Sequence, residues 1–291
     1  MKIAGFTIIR NAVINDYPVV EAICSILPVV DEMVVCLGDC EDETEALIRS
    51  IGSSKIRIVH SVWNPDLREG GRILAVETDK AFRHISPDAD WAFYIQGDEV
   101  IHEKYHAAIR EAAQRHKDDR QVDGLLFDYV HFYGTYDYTG DSRRWYRREV
   151  RIIRNDQSIS AYRDAQGFRK GGRKLRVKPA NACVYHYGWV KSPAQMKRKM
   201  KNVSRYWNRE SDQNWQAYIK SEDVFDFAEF DSLARFTGTH PAVMQSRIDR
   251  KSWQVELDAS KKRFDFKGAI LYFFEKKTGK RLFEFKNYRI T

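Results

Sequence analysis

The feature that most restricts the fold of this chain is a series of strand-length apolar runs set far apart: Ile3–Ile9, Glu32–Leu37, Ile56–His60, 91–95, 124–130, 150–153 and 182–185. Helical periodicity fills the early gaps. Val19, Ile23, Ile26 and Leu27 follow a 3.6-residue period, residues 44–51 do likewise, and residues 71–82 continue it with Ile73, Leu74, Ala81 and Phe82. Alternating strand and helix predicts an α/β fold, a mainly parallel sheet with helices on both faces. Such sheets bind ligands beyond the carboxyl ends of their strands. The residues standing there are Arg10-Asn11, Gly38-Asp39, Trp63-Asn64 and Gln96-Gly97-Asp98-Glu99.

The chain has 291 residues, 43% of them hydrophobic and 31% charged, enough for a large core, and no apolar run approaches the roughly 20 residues of a membrane span. A soluble globular protein is expected. Residues 1–10 read as a first strand rather than a secretory signal, because Arg10-Asn11 ends the apolar stretch without a small-residue cleavage site. Cys24, Cys36, Cys40 and Cys183 form neither a disulfide framework nor a paired zinc pattern, which favours a cytoplasmic location.

Charge is divided unevenly. Residues 1–142 carry a net −11, residues 143–178 a net +10 and residues 191–291 a net +9. An acidic half followed by a basic half suits a metal ion or cationic centre at one wall and polyanions at the other. The character also changes near residue 190, dividing residues 1–190 from a basic, aromatic-rich and mainly helical extension, 191–291. Ser192-Pro193 is a helix start, and Met196, Met200, Val203 and Trp207 form an apolar stripe opposite Lys197, Arg198, Lys199, Lys201 and Arg205. The last thirty residues interleave aromatics with lysines. Both features are compatible with an anionic membrane surface, contacted peripherally on its cytoplasmic side.

Four motifs carry chemistry. Asp98-Glu99, at the end of a strand, presents paired carboxylates that can hold Mg²⁺ or Mn²⁺ beside a substrate phosphate; the alternative is a polar turn. His102-Glu103-Lys104-Tyr105-His106 is a literal HExxH, which on a helix would bind zinc for a hydrolase, yet it follows the Asp98-Glu99 turn where a helix is only beginning. Arg143, Arg144, Arg147, Arg148, Arg151 and Arg154, interleaved with Trp145 and Tyr146, suit sugar phosphates as well as nucleic acid, and no fold motif supports the latter. His186 closes the alternating region, where a lone histidine is ordinarily structural.

In order along residues 3–207, these pieces resemble a family 2 glycosyltransferase of the GT-A fold, most like the branch containing bacterial lipopolysaccharide-core glucosyltransferases. The resemblance runs through Ile9-Arg10-Asn11, the segment Val30-Asp31-Glu32-Met33-Val34-Val35, Asp42-Glu43-Thr44, Trp63 and Arg72-Ile73-Leu74-Ala75. It continues through Asp98-Glu99, Arg151-Ile152-Ile153-Arg154-Asn155, Tyr162-Arg163-Asp164, His186-Tyr187 and the following basic helix to Tyr206. Two positions depart from the pattern. Leu37 stands where the family carries a base-binding aspartate, with Asp39 two places on as a substitute, and Gln96 replaces the first aspartate of DxD.

The resemblance implies a hexose transfer from a nucleotide diphosphate sugar, a UDP-sugar first, to a glycan or lipid-linked hydroxyl, inverting and dependent on Mn²⁺ or Mg²⁺. It assigns Asp98 and His186 to the metal and Asp164 to the general base. Arg10, Asn11, Asp39, Arg72, Gln96 and Gly97 fall to the donor. Nucleic acid is not an expected partner. The alternatives are the HExxH zinc hydrolase and a non-catalytic module that binds anionic ligands on a degenerate GT-A fold.

Overall fold

The computed structural model describes residues 1–67, 69–207 and 212–291. Its first half winds as expected: β1 (Ile3–Ile9), α1 (Val19–Ile26), β2 (Glu32–Leu37), α2 (Thr44–Arg49), β3 (Ile56–His60), α3 (Arg72–Arg83) and β4 (Trp91–Tyr94). Strands β3, β2, β1 and β4 lie side by side, all parallel. Every residue of β1 and β4 is buried, as strands covered on both faces require. Their two-residue period divides the core. Ile3, Ile9, Met33 and Val35 pack under α1 and its neighbours, while Ala4, Phe6, Ile8, Val34 and Cys36 pack with Ile73 and Phe82 of α3.

The second half is mixed. After β5 (Glu99–Ile101) and α4 (His106–Arg115) come β6 (Gly124–Gly134), β7 (Tyr138–Gly140) and β8 (Arg148–Arg154). A small separate sheet follows, of β9 (Ile159–Tyr162), β10 (Gly167–Lys170) and β11 (Arg173–Lys174), and then the long β12 (Arg176–Val190). β8 inserts antiparallel between β4 and β6, and β12 runs parallel to β6 while β5 pairs antiparallel with it. The resulting sheet is therefore parallel across β3, β2, β1 and β4 and mixed where it carries the second half.

Beyond residue 190 the chain forms α5 (Pro193–Ser204), α6 (Gln213–Lys220), β13 (Leu233–Arg235), α7 (Gln245–Asp249), α8 (Phe266–Thr278) and β14 (Arg289–Ile290). β13 pairs with β7 and β14 with β12, so this segment adds strands to the same sheet. The start of α5 is as expected: Ser192 and Gln195 close a capping box, with Pro193 in the first turn. Among the described residues no helix is long and apolar enough to cross a membrane. All four cysteines are free.

Glu149 of β8 is buried with, among the described residues, only the Val150 N–H and the Asn287 amide on its oxygens, at 2.9 and 3.3 Å. Burial pushes its carboxyl up to about 7, against the pull of Arg151. The folded protein thus holds a proton that the unfolded chain releases at lower pH. The stability this confers is complete below the ordinary glutamate range and is lost as pH rises through 7, roughly 3 kcal/mol in all. Urea unfolding at pH 5 and pH 8 is expected to show that loss, and Glu149→Gln to remove most of it. An unchanged pH dependence in the variant would assign it elsewhere.

Candidate active site

The carboxyl ends of β1 and β4 open into a cleft of about 260 Å³ whose lining includes Arg10, Tyr17, Trp63, Gln96, Gly97, Asp98, Asp164, Lys199, Tyr206 and Trp207. A second cavity of about 770 Å³, holding Arg72, Asp79 and Arg163, shares Asp164 with it. A third of about 930 Å³ is walled by Trp145, Trp189, Tyr133 and Phe225 and touches His186.

The turn 95–98 owes its shape to Glu99. Its carboxylate is buried and takes two hydrogen bonds from Arg151, at 2.9 and 2.8 Å. It takes others from Tyr129 Oη at 2.8 Å and the Gln96 N–H at 3.1 Å. The paired-carboxylate expectation is corrected here: with its oxygens fully engaged, Glu99 anchors the turn and only Asp98 is left to face the cleft. Gln96 and Gly97 line it as expected.

Asp98 Oδ2 lies 3.3 Å from Lys199 Nζ and 3.7 Å from His186 Nε2. Burial alone would raise its pKa, but Lys199 and His186, with Lys191 behind, hold it well below the usual carboxylate range. Gly188 makes the room, since a Cβ there would stand 2.6 Å from the same oxygen. The role of the histidine's Nδ1 follows from its neighbours. His131 Nε2 can only donate to the Tyr146 carbonyl, 2.8 Å away, and burial pushes the His131 pKa down to about 3, so its Nδ1 carries a lone pair. That atom is 3.1 Å from His186 Nδ1, which must donate to it. Its Nε2 is then the ring nitrogen that faces Asp98 Oδ2, 3.7 Å away.

A carboxylate oxygen and an imidazole nitrogen facing each other, with the other ring nitrogen held by an outer partner, are the donor types that hold a divalent cation. Among the described residues no three His, Cys, Asp or Glu side chains converge, so an ion held here would draw its remaining ligands from phosphate oxygens and water.

Asp164 sits at the tip of the β9–β10 hairpin between two non-glycine residues in left-handed conformation, Arg163 at φ 58° and Ala165 at φ 61°. Its Oδ1 is buried and accepts no hydrogen bond from any described residue. Gly71 allows this close approach: it has φ 74°, and a Cβ would fall 2.7 Å from Asp164 Cβ. The Trp63 Nε1–H is also buried without a partner among the described residues, at the wall of the same cleft, its ring 5.3 Å from that of Tyr206. A donor and an acceptor orphaned around one cavity are groups that a polar ligand satisfies.

Other expected residues support the site from outside. Arg10 lines the cleft and its guanidinium binds the Asp39 carbonyl and carboxylate, both at 3.1 Å. Asp39 also accepts the Trp63 N–H at 3.2 Å, whereas Leu37 is buried. Asn11, with φ 53°, turns its side chain to the Glu41 N–H at 2.8 Å and ties the two loops together instead of lining the cleft. Arg72 belongs to the neighbouring cavity.

Two motifs resolve into structure. α4 begins only at His106, whose Nε2 meets the Ser25 carbonyl at 2.8 Å, while His102 Nε2 meets Thr239 Oγ1 at 2.9 Å. The HExxH histidines therefore do not share a helical face, and the zinc reading fails. In the arginine cluster, Arg151 holds Glu99, Arg154 donates to four carbonyls between His116 and Val122, and Arg143, Arg147 and Arg148 pair with carboxylates. Only Arg144 keeps a largely exposed guanidinium. Lys199, His131, Tyr17, Tyr206 and Trp207 were not anticipated as site residues. The 199, 203, 206 spacing on one helical face was the available signal.

No family model matches the chain, and no curated protein does. Among solved structures, glucosyl-3-phosphoglycerate synthase from Mycobacterium tuberculosis with Mn²⁺, UDP and phosphoglyceric acid is similar at 19% identity and a TM-score of 0.31, covering 45% of this chain and 43% of that one. The same synthase with Mn²⁺, UDP-glucose and glycerol 3-phosphate aligns at 19% identity and 0.31 over 45% and 44%. A further mycobacterial protein aligns at 16% identity and 0.31 over 45% and 41%. The chain thus spans less than half the length of these proteins.

Proposed function

We propose that the chain is a glycosyltransferase that moves a hexose from a nucleotide diphosphate sugar, UDP-linked in the first instance, to an acceptor hydroxyl by a single inverting displacement. The observation that carries this reading is the Asp164 carboxylate oxygen, unpartnered among the described residues and held by strained backbone in the same cleft as Asp98. Trp63 and Tyr206 flank the donor's nucleotide, with Arg10 and Asp39 at the strand ends. Lys199 supplies an ammonium beside the diphosphate. Asp98 and His186 would hold Mn²⁺ or Mg²⁺, which when bound offsets charge on the leaving nucleotide.

Asp164 accepts the proton of the acceptor hydroxyl as its oxygen bonds to the anomeric carbon. The bond from that carbon to the diphosphate oxygen breaks, and its electron pair leaves with the nucleotide. The aromatic groove beyond His186 supports a glycan acceptor, because sugar rings stack on such walls and hydroxyls bond to carboxylates like those of Asp223, Asp226 and Glu229 along it. Cytoplasmic action on a glycan or lipid-linked acceptor is part of the same reading.

Incubating the protein with Mn²⁺, a panel of nucleotide sugars and neutral oligosaccharide acceptors is expected to release free nucleoside diphosphate only when donor and acceptor are both present. No release with any pair would reject the transferase.

A further inference from the structure

The apolar stripe of α5, expected on the surface, is turned inward. Met196 is buried, Val203 and Trp207 line the cleft, and two of the helix's lysines are engaged inside: Lys199 at Asp98, and Lys197 at Ser221 Oγ, 3.1 Å away. Helix α8 is the reverse. It is attached to the body by polar groups, with Tyr272 Oη donating to Asp141 at 2.5 Å, Lys276 bonded to the same carboxylate, and Glu275 paired with Arg143 and Arg281 at 3.1 and 2.9 Å. Its outward stripe is apolar: Phe266 is 85% exposed, Ile270 53% and Phe273 63%. Past the helix, Phe283 is 89% exposed and Phe285 64%. An ordinary surface helix buries its apolar face and shows water its polar one. Here Phe266, Ile270 and Phe273 face solvent while Tyr272 and Glu275 face the body, and Phe283 holds its exposed ring on a left-handed backbone, φ 54°.

The charge around the stripe identifies the occupant. Residues 261–291 carry ten Lys and Arg against three Asp and Glu. Lys277 Nζ stands 5.8 Å from the Phe273 ring and Lys174 Nζ 4.9 Å from that of Phe285, so ammonium groups rim the aromatic face itself. We infer that α8 and the Phe283–Phe285 turn dock the protein on an anionic lipid surface, the rings entering the headgroup boundary and the lysines meeting lipid phosphates. The element is tied to the functional region, because Arg281 donates to the Trp145 carbonyl at 2.7 Å and Trp145 walls the aromatic groove. Docking would therefore present that groove to a lipid-linked acceptor, a consequence that rests on the transferase reading, whereas the docking itself does not.

The full chain should be sedimented with vesicles of phosphatidylcholine alone and of phosphatidylcholine with phosphatidylglycerol, at low and high salt. Binding is expected only with phosphatidylglycerol and should weaken as salt rises. The triple variant Phe266→Ser, Ile270→Ser, Phe273→Ser, whose sites are solvent-facing, should retain its circular dichroism spectrum and partition more than about tenfold less. Lys267→Gln, Lys277→Gln and Lys280→Gln together should reduce the preference for anionic lipid. Equal recovery in the supernatant with both vesicle types overturns the inference, and so does phosphatidylglycerol binding that the serine variant leaves unchanged. Self-association in sedimentation velocity, abolished by the serine variant while vesicles bind nothing, would make a second copy the occupant instead. Vesicle binding without nucleotide release supports the docking surface while rejecting the transferase.

Discussion

Asp164→Asn is expected to leave nucleotide affinity within about twofold of the parent and to lower transfer by roughly 100- to 10,000-fold, the range that a positioned base contributes. The separation follows from where the residue acts. No described residue donates to its Oδ1, so it is available to an acceptor proton and takes no part in holding the turn of Asp98. Binding of the donor by calorimetry and turnover by nucleotide release measure the two quantities independently. A variant that loses donor affinity as far as it loses turnover would make Asp164 a donor-binding group and leave the base unassigned.

The second large effect concerns what holds the cleft open. Arg151 and Glu99 form a fully buried ion pair, joined by Tyr129, directly behind the turn that presents Asp98. Removing one member leaves the other charge buried without compensation, a change that costs about 3–5 kcal/mol. Arg151→Met is expected to lower the urea unfolding free energy by that amount and to weaken nucleotide binding, because Glu99 no longer fixes the Gln96 N–H. A change below about 1 kcal/mol would mean that water or another cation compensates Glu99.

That pair also shows what a sequence of this kind conceals. The run 91–95 followed by Gln96-Gly97-Asp98-Glu99 located the strand end and the cleft, because a parallel strand buried on both faces must be apolar throughout and polar once it emerges. It could not distinguish the two adjacent carboxylates. Asp98 and Glu99 look equivalent as letters, and only the arrival of Arg151 from a strand 52 residues later makes Glu99 an anchor and leaves Asp98 to face the cleft. The arginine cluster is legible only as charge for the same reason: its guanidinium groups are consumed by carboxylates and carbonyls that are remote in sequence.

Helices carried a similar ambiguity of face. The strands β1, β2 and β3 coincide with the apolar runs that predicted them, since a strand's burial is set by its immediate neighbours. Periodicity identifies an apolar stripe without saying what covers it. The stripe of α5 is covered by the protein and that of α8 is not, although both are rimmed with lysine. Asp164 came from the resemblance alone. Its distinguishing features, the strained neighbours and the orphaned oxygen, belong to a hairpin whose tip has no unusual composition.

The central claim is that a nucleoside diphosphate and a divalent cation meet at Asp98 in the cleft that Asp164 also lines. Calorimetric titration of UDP into the protein, with and without Mn²⁺, tests it most directly when repeated on Asp98→Asn. The account predicts saturable binding that Mn²⁺ tightens, and at least about a tenfold weakening of the Mn²⁺-dependent part in the variant. No heat of binding for UDP or any other nucleoside diphosphate with either cation, or binding that Asp98→Asn leaves unaltered, would contradict it.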